Sequence, residues 1–115
     1  MRILGIDPGY AIVGYSVIDY IGNKFKLITS GAVLTEAGVS FPLRLEKIYK
    51  ELDNIIKTYK PEAMSVEELF FNNNAKTAID VAQARGVILV VGRMNNIPTY
   101  EYTPLQVKQA VCRIW

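Results

Sequence analysis

Two acidic side chains stand where stretches that read as strands run out. "ILGIDPG" (residues 3–9) carries four residues suited to a buried strand straight into Asp7, Pro8 and Gly9. "AMSVEEL" ends another apolar run on Glu67 and Glu68. If those strands are parallel neighbours, both project carboxylates past their carboxyl ends, where open α/β sheets bind ligands. Two carboxylates a few ångströms apart repel, and one stays protonated unless a cation lies between them. A divalent metal resolves that conflict, and it also activates water and stabilises charge on a phosphate in transit. Asp7 has an ordinary reading as well, since Asp-Pro-Gly after a strand is a common turn whose aspartate bonds locally. Glu67 is harder to explain that way, because a carboxylate at the end of an apolar strand has no turn to make. Alternation sends Glu67 and Glu68 to opposite faces, so only one of them shares a side with Asp7, and the spacing leaves that choice open.

Composition narrows the chemistry. The 115 residues include no histidine and one cysteine, Cys112. That removes His-based acid–base catalysis, Ser-His-Asp hydrolysis and the usual zinc sites. A metal must then be held by oxygen, which points to Mg²⁺ or Mn²⁺. A lone cysteine cannot close an internal disulfide and fits a reducing cytosol. The balance of 50% hydrophobic and 21% charged residues is that of a soluble globular chain, not a disordered or coiled-coil one. The length suits one domain with a real core. "GVILVVG" and "AIVGY" are far shorter than the ~20 apolar residues of a membrane span. No secretory pattern opens the chain, so the expected location is cytoplasmic. A net charge of +2 is too small to argue for a nucleic-acid partner by itself.

The elements that must position the acids follow from periodicity. "RILGID" reads as a strand, and "GYSVIDYIGNKFKLITSGAVLT" as a hairpin broken at Gly22-Asn23. A helix follows, with Ser40 as its cap and Leu45, Ile48, Tyr49, Leu52, Ile55, Ile56 and Tyr59 as its apolar stripe. Lys57 and Lys60 suit its last turn, and Pro61 stops it. "AMSVEE" is a buried strand, "LFFNNN" a loop, "AKTAIDVAQARGVILVVGRMNN" a second helix and "IPTYEYT" a strand. Thr103 and Pro104 open a third helix. The order β-β-β-α-β-α-β-α predicts a mixed sheet, its later strands parallel to the first, with helices on both faces. In the second helix Ala75, Ala78, Ala82, Ala84 and Gly86 allow close approach, while Ile79, Val87, Ile88, Val90 and Val91 spread apolar surface around several faces. Deep burial or a dimer interface would account for that.

"RILGIDPGYAIVGYSVID", "SVEELFFNNNAKTAIDVAQARGVILV" and "YEYTPLQVKQAV" resemble the RuvC family of Holliday junction resolvases, from Met1 to about Val111. "GIDPG" alone is a weak signal, but "VEE-x-F", "N-x-x-x-A…QARG" and "P-x-x-VKQ-x-V" in that order are specific. The resemblance implies a ribonuclease H-like mixed five-stranded sheet flanked by helices. It implies a homodimeric endonuclease that uses Mg²⁺, or Mn²⁺ in its place. Such an enzyme nicks two opposing strands of a four-way DNA junction symmetrically in recombination and repair, leaving 5′-phosphate and 3′-hydroxyl ends. It also implies the RuvA-RuvB branch-migration complex as a partner. Asp7 matches the family's catalytic, metal-binding aspartate. Glu67, rather than Glu68, matches its glutamate, because Phe70 then falls on the family's aromatic. Phe70 resembles the aromatic that stacks on unpaired bases, with Phe71 left to pack. Lys108 resembles a DNA-contacting residue, a solvated helix lysine being the plainer alternative. Arg85 could face phosphate or brace a dimer, and both stay open.

Family members continue further, with a last helix that brings two more aspartates and a lysine to the site. Residues 1–115 therefore read as one RuvC-like domain, incomplete at its C-terminus and lacking that helix, and "CRIW" does not resemble the family's "GxG" turn there. With Asp7 and Glu67 alone, weak Mg²⁺ binding and little or no cleavage are expected. Two other readings compete. One is a non-catalytic junction-binding or dimerisation remnant. The other is an actin- or sugar-kinase-like ATP-binding domain, since "GIDPG" before a hairpin opens that fold too.

Overall fold

The structure, a computed structural model, describes residues 1–9, 11–36, 38–68 and 75–102. Its elements are β1 (Arg2–Pro8), β2 (Ile12–Ile21), β3 (Lys24–Leu34), α1 (Phe41–Tyr59), β4 (Ala63–Glu67), α2 (Ala75–Met94) and β5 (Thr99–Tyr102). They build one five-stranded sheet of order β3-β2-β1-β4-β5. β1, β2 and β3 pair antiparallel, whereas β4 lies parallel to β1 and β5 parallel to β4. The expected third helix falls outside the described residues.

The hairpin turns at Gly22 (φ 56°) and Asn23 (φ 65°). Two successive left-handed residues match the right-handed twist of the flanking strands, and glycine and asparagine adopt that backbone most readily. A register shift between Val17 and Ile18 leaves one extra residue in β3, which increases the local twist. β3 forms one edge of the sheet, with Phe25 49% and Leu27 60% exposed.

α1 follows its predicted stripe: Ile48, Leu52 and Ile56 are buried, and Leu45, Tyr49, Ile55 and Tyr59 pack beside them. Ser40 occupies the N-cap position, but its side chain makes no capping hydrogen bond. Its carbonyl instead accepts from the Arg44 N–H at 3.1 Å, and a proline in the first turn sets the entry. The helix closes on Lys60 in the left-handed conformation, whose N–H donates to the Ile56 carbonyl at 2.8 Å. Lys60 is thus the cap itself, while Lys57 lies in the last turn.

Leu4 and Ile6 of β1, Val13 and Val17 of β2, Val33 of β3, and Met64 and Val66 of β4 form a single core with α1 and with Ala84, Ile88 and Val91 of α2. Both described helices therefore cover the same face of the sheet. The third helix, which the expectation of helices on both faces also includes, lies outside the described residues. Arg2 fastens the far end: its guanidinium donates to both carboxylate oxygens of Asp19 (2.8 and 3.0 Å) and to the Tyr59 carbonyl (2.9 Å). Asn95, just past α2, donates to Asp53 of α1 at 2.9 Å and ties the two helices together. No helix among the described residues is long and apolar enough to cross a membrane.

Candidate functional site

Ile6 of β1 stands opposite Val66 of the parallel strand β4. One residue further along each strand, the side chains turn to the other face. Ile6 (4% exposed) and Val66 (0%) point into the core, so Asp7 and Glu67 stand side by side on the face that neither described helix covers. Glu68 lies beyond the end of β4. The strand register thus makes, on geometric grounds, the choice that spacing left open.

The neighbours of the two acids are small. Asp7 pairs with Gly14 of β2, where an added Cβ would lie 3.9 Å from the Asp7 Cβ. Gly5, between Ser16 of β2 and Ser65 of β4, is in register with both. A Cβ at Gly5 would come within 3.3 Å of the Ser16 hydroxyl. Asp7, Glu67, Gly5, Gly14, Ser16 and Ser65 are among the residues that line an open cleft of about 370 Å³. Bare backbone beside paired carboxylates lets a bulky ligand come close to both.

The Glu67 carboxyl is held above its ordinary pKa, first by burial, then by a hydrogen bond with Asp7 and by the Asp7 charge. Two carboxylates this close repel, and a cation between them relieves that repulsion. The donor set is all oxygen, and the cleft leaves space for solvent and a phosphate. Those are the requirements of a hard divalent cation such as Mg²⁺, which draws few ligands from protein. Asp7 and Glu67 are the residues that fit it. No group of three or more His, Cys, Asp or Glu side chains gathers at a possible metal site among the described residues.

The other predicted site residues fall elsewhere. Phe70 and Lys108, with Phe71, lie outside the described residues. Arg85 is within them, on α2, and pairs with Glu101 of β5. That contact is within the chain, a partner sequence reasoning did not consider. Sequence reasoning also missed the glycine and serine floor. Its trace is visible in retrospect: Gly5 and Asp7 in β1, and Gly14 and Ser16 in β2, alternate with residues that are in the core or pack against it, the period-two pattern of a sheet with one small-residue face.

A mixed sheet in this order, with acids at the carboxyl ends of its two central parallel strands, belongs to the ribonuclease H-like class. The chain is a member of the RuvC family: the family described as crossover junction endodeoxyribonuclease RuvC matches residues 3–114. The crossover junction endodeoxyribonuclease RuvC of Desulforamulus reducens is 58% identical over 111 residues, 96% of this chain and 68% of the relative. That of Brevibacillus brevis is 53% identical over 111 residues, 96% of this chain and 67% of the relative. The solved structure of T. thermophilus RuvC in complex with a Holliday junction substrate superposes with a TM-score of 0.91 at 33% identity, covering 97% of this chain and 72% of that one. The chain thus spans about two thirds of the length of these curated relatives.

Proposed function

We propose that this chain is the ribonuclease H-like part of a divalent-metal-dependent endonuclease for four-way DNA junctions, with Asp7 and Glu67 as its metal-holding carboxylates. The observation that carries the reading is the placement of those two side chains next to each other at the ends of β1 and β4, on the open face of the sheet. A bound Mg²⁺ or Mn²⁺ supplies charge neutralisation at a phosphate and an acidified water. The chain's own residues do the rest. Asp7 and Glu67 would hold the cation, which would offset the charge that burial and proximity disfavour on Glu67. Gly5 and Gly14 let a sugar–phosphate backbone lie against the sheet, and Ser16 and Ser65 offer hydroxyl donors beside it. Phe70 and Lys108 are proposed as DNA contacts on the family resemblance.

Symmetric nicking of a junction calls for two such sites related by a two-fold axis. α2 offers the surface for a homodimer: Ile79 is 57%, Val90 53% and Met94 66% exposed. Between them Gly86 faces open space. The RuvA-RuvB complex as a partner rests on family resemblance alone.

The test is a cleavage assay on a synthetic four-way junction with Mg²⁺, using Asp7→Asn as control. Paired nicks that vanish in the variant support the proposal. Equal activity of the variant, or equal cutting of linear duplex, sinks it. A second reading, junction binding without cleavage, is favoured by the number of acids, because the described residues bring only Asp7 and Glu67 together. A gel shift that selects the junction over duplex, with no nicking under the same conditions, would establish that reading instead.

A further inference from the structure

Arg85 is buried more than its charge would suggest. Its side chain is 16% exposed, on the sheet-facing side of α2. Its guanidinium pairs with Glu101 of β5, and its Nε–H finds no acceptor among the described residues. A desolvated cation with one carboxylate partner is costly to leave unpaired. Glu101 is 43% exposed, so it is the arginine end of the pair that loses its partner in a shielded place.

The position of Glu101 gives that pair its consequence. β5 is a four-residue edge strand held by its ladder with β4 and by what packs on it from α2. In the ladder Glu101 stands opposite Val66, and Tyr102 opposite Glu67. Among the described residues, α2 comes close to β5 near Gly92 and at Arg85. Gly92 presses where an added Cβ would meet Met64 at 2.5 Å and the Thr99 hydroxyl at 3.1 Å. Arg85, about two helical turns earlier, holds Glu101 near the carboxyl end of the strand. That is the end at which Glu67 emerges. The first contact secures the start of β5, and the second secures the rim.

We infer that Arg85 is a positioning residue for the two-acid site: through Glu101 it fixes the end of β5, and through the β4–β5 ladder it fixes Glu67 beside Asp7. The inference rests on the proposed metal site for its functional meaning, but its structural core can be tested independently.

The experiment is amide hydrogen exchange on the full chain, comparing wild type with Arg85→Ala and with the charge swap Arg85→Glu/Glu101→Arg. In Arg85→Ala, exchange at Val66, Glu67, Glu101 and Tyr102 accelerates about tenfold or more, as expected for losing a charge-assisted hydrogen bond. The β1–β2–β3 ladder keeps its protection. The charge swap restores slow exchange at the same four residues. Unchanged exchange at Glu67, or a uniform rise across the sheet, overturns the inference. Mn²⁺ titration of the same proteins addresses the function: weaker binding by Arg85→Ala, recovered in the swap, supports a positioning role. Wild type that binds no Mn²⁺ would sink the metal-site reading, while the exchange data still decide the role of Arg85.

Discussion

The carboxyl groups of Asp7 and Glu67 face each other across two parallel strands, 60 positions apart in the chain. In a metal-free protein this relationship is a strain, because burial and the neighbouring charge both hold the Glu67 carboxyl above its ordinary pKa. The folded state therefore keeps a proton that the unfolded chain releases near pH ~4.3. Stability falls as pH rises from that value through the folded pKa, and the loss persists above it. Glu67→Gln removes the titration. Without divalent ions it is expected to melt a few degrees above wild type at neutral pH, with a flatter dependence of Tm on pH. Added Mg²⁺ should raise the Tm of wild type and leave that of Glu67→Gln unmoved. A variant that melts below wild type in chelator would contradict the arrangement.

Asp19 and Asp53 act in the opposite sense. Hydrogen bonding to Arg2 lowers the Asp19 pKa, and hydrogen bonds from Lys57 and Asn95 lower that of Asp53. Their stabilisation is complete above the unfolded value of ~3.9 and is lost as pH falls through the folded values. Urea denaturation between about pH 5 and pH 2 should show a steep acid limb in wild type. Asp53→Asn should be less stable at neutral pH and lose less on acidification.

Association through α2 has a direct test. Ile79→Asp and Val90→Asp place charges at positions 57% and 53% exposed in the single chain. The fold should tolerate them within about 0.5 kcal/mol, as surface changes usually are. Sedimentation equilibrium should report a dimer for wild type and a monomer for the double variant, with unchanged far-ultraviolet circular dichroism. Wild type that stays monomeric at high concentration would exclude this interface.

Gly92 stands where α2 lies close to β4 and β5, with no room for a Cβ. An alanine there gains roughly 1 kcal/mol of helix propensity. It also places a methyl 2.5 Å from the terminal carbon of Met64, a side chain with 0% exposure, and 3.1 Å from the Thr99 hydroxyl. Overpacking of this kind costs about 1–3 kcal/mol. Gly92→Ala is therefore expected to be net destabilising in urea, and Met64→Ala in the same chain should recover part of the loss. If Gly92→Ala is stabilising, α2 does not sit as closely on β4 as described.

The elements with strong periodicity were legible from residues alone. The α1 stripe, the Gly22-Asn23 turn and the break at Pro61 each depend on local chemistry, and each stands where it was expected. Asp7 and Glu67 were legible as strand-end acids. Their meeting required the parallel register of β1 and β4, which is a long-range fact. The same limit explains the misses. A serine before a helix predicts a capping hydroxyl, but whether Ser40 uses it depends on a rotamer. Which face a helix covers depends on crossover geometry, so the shared side of α1 and α2 was not legible in the sequence. The partner of Arg85 could not be read, because an ion pair between α2 and β5 exists only once the edge strand has docked.

The hairpin brings one last consequence. Among the described residues β3 presents eleven residues of strand with one flank unpaired, and Phe25 and Leu27 are exposed on it. Such an edge is a template on which another molecule's chain can add itself. Lys24 and Lys26, flanking Phe25, repel their own copies there. Mutual repulsion weakens as salt rises, so solutions of this protein should become turbid sooner in concentrated salt than in dilute buffer, and replacing either lysine by a neutral residue should bring that threshold down.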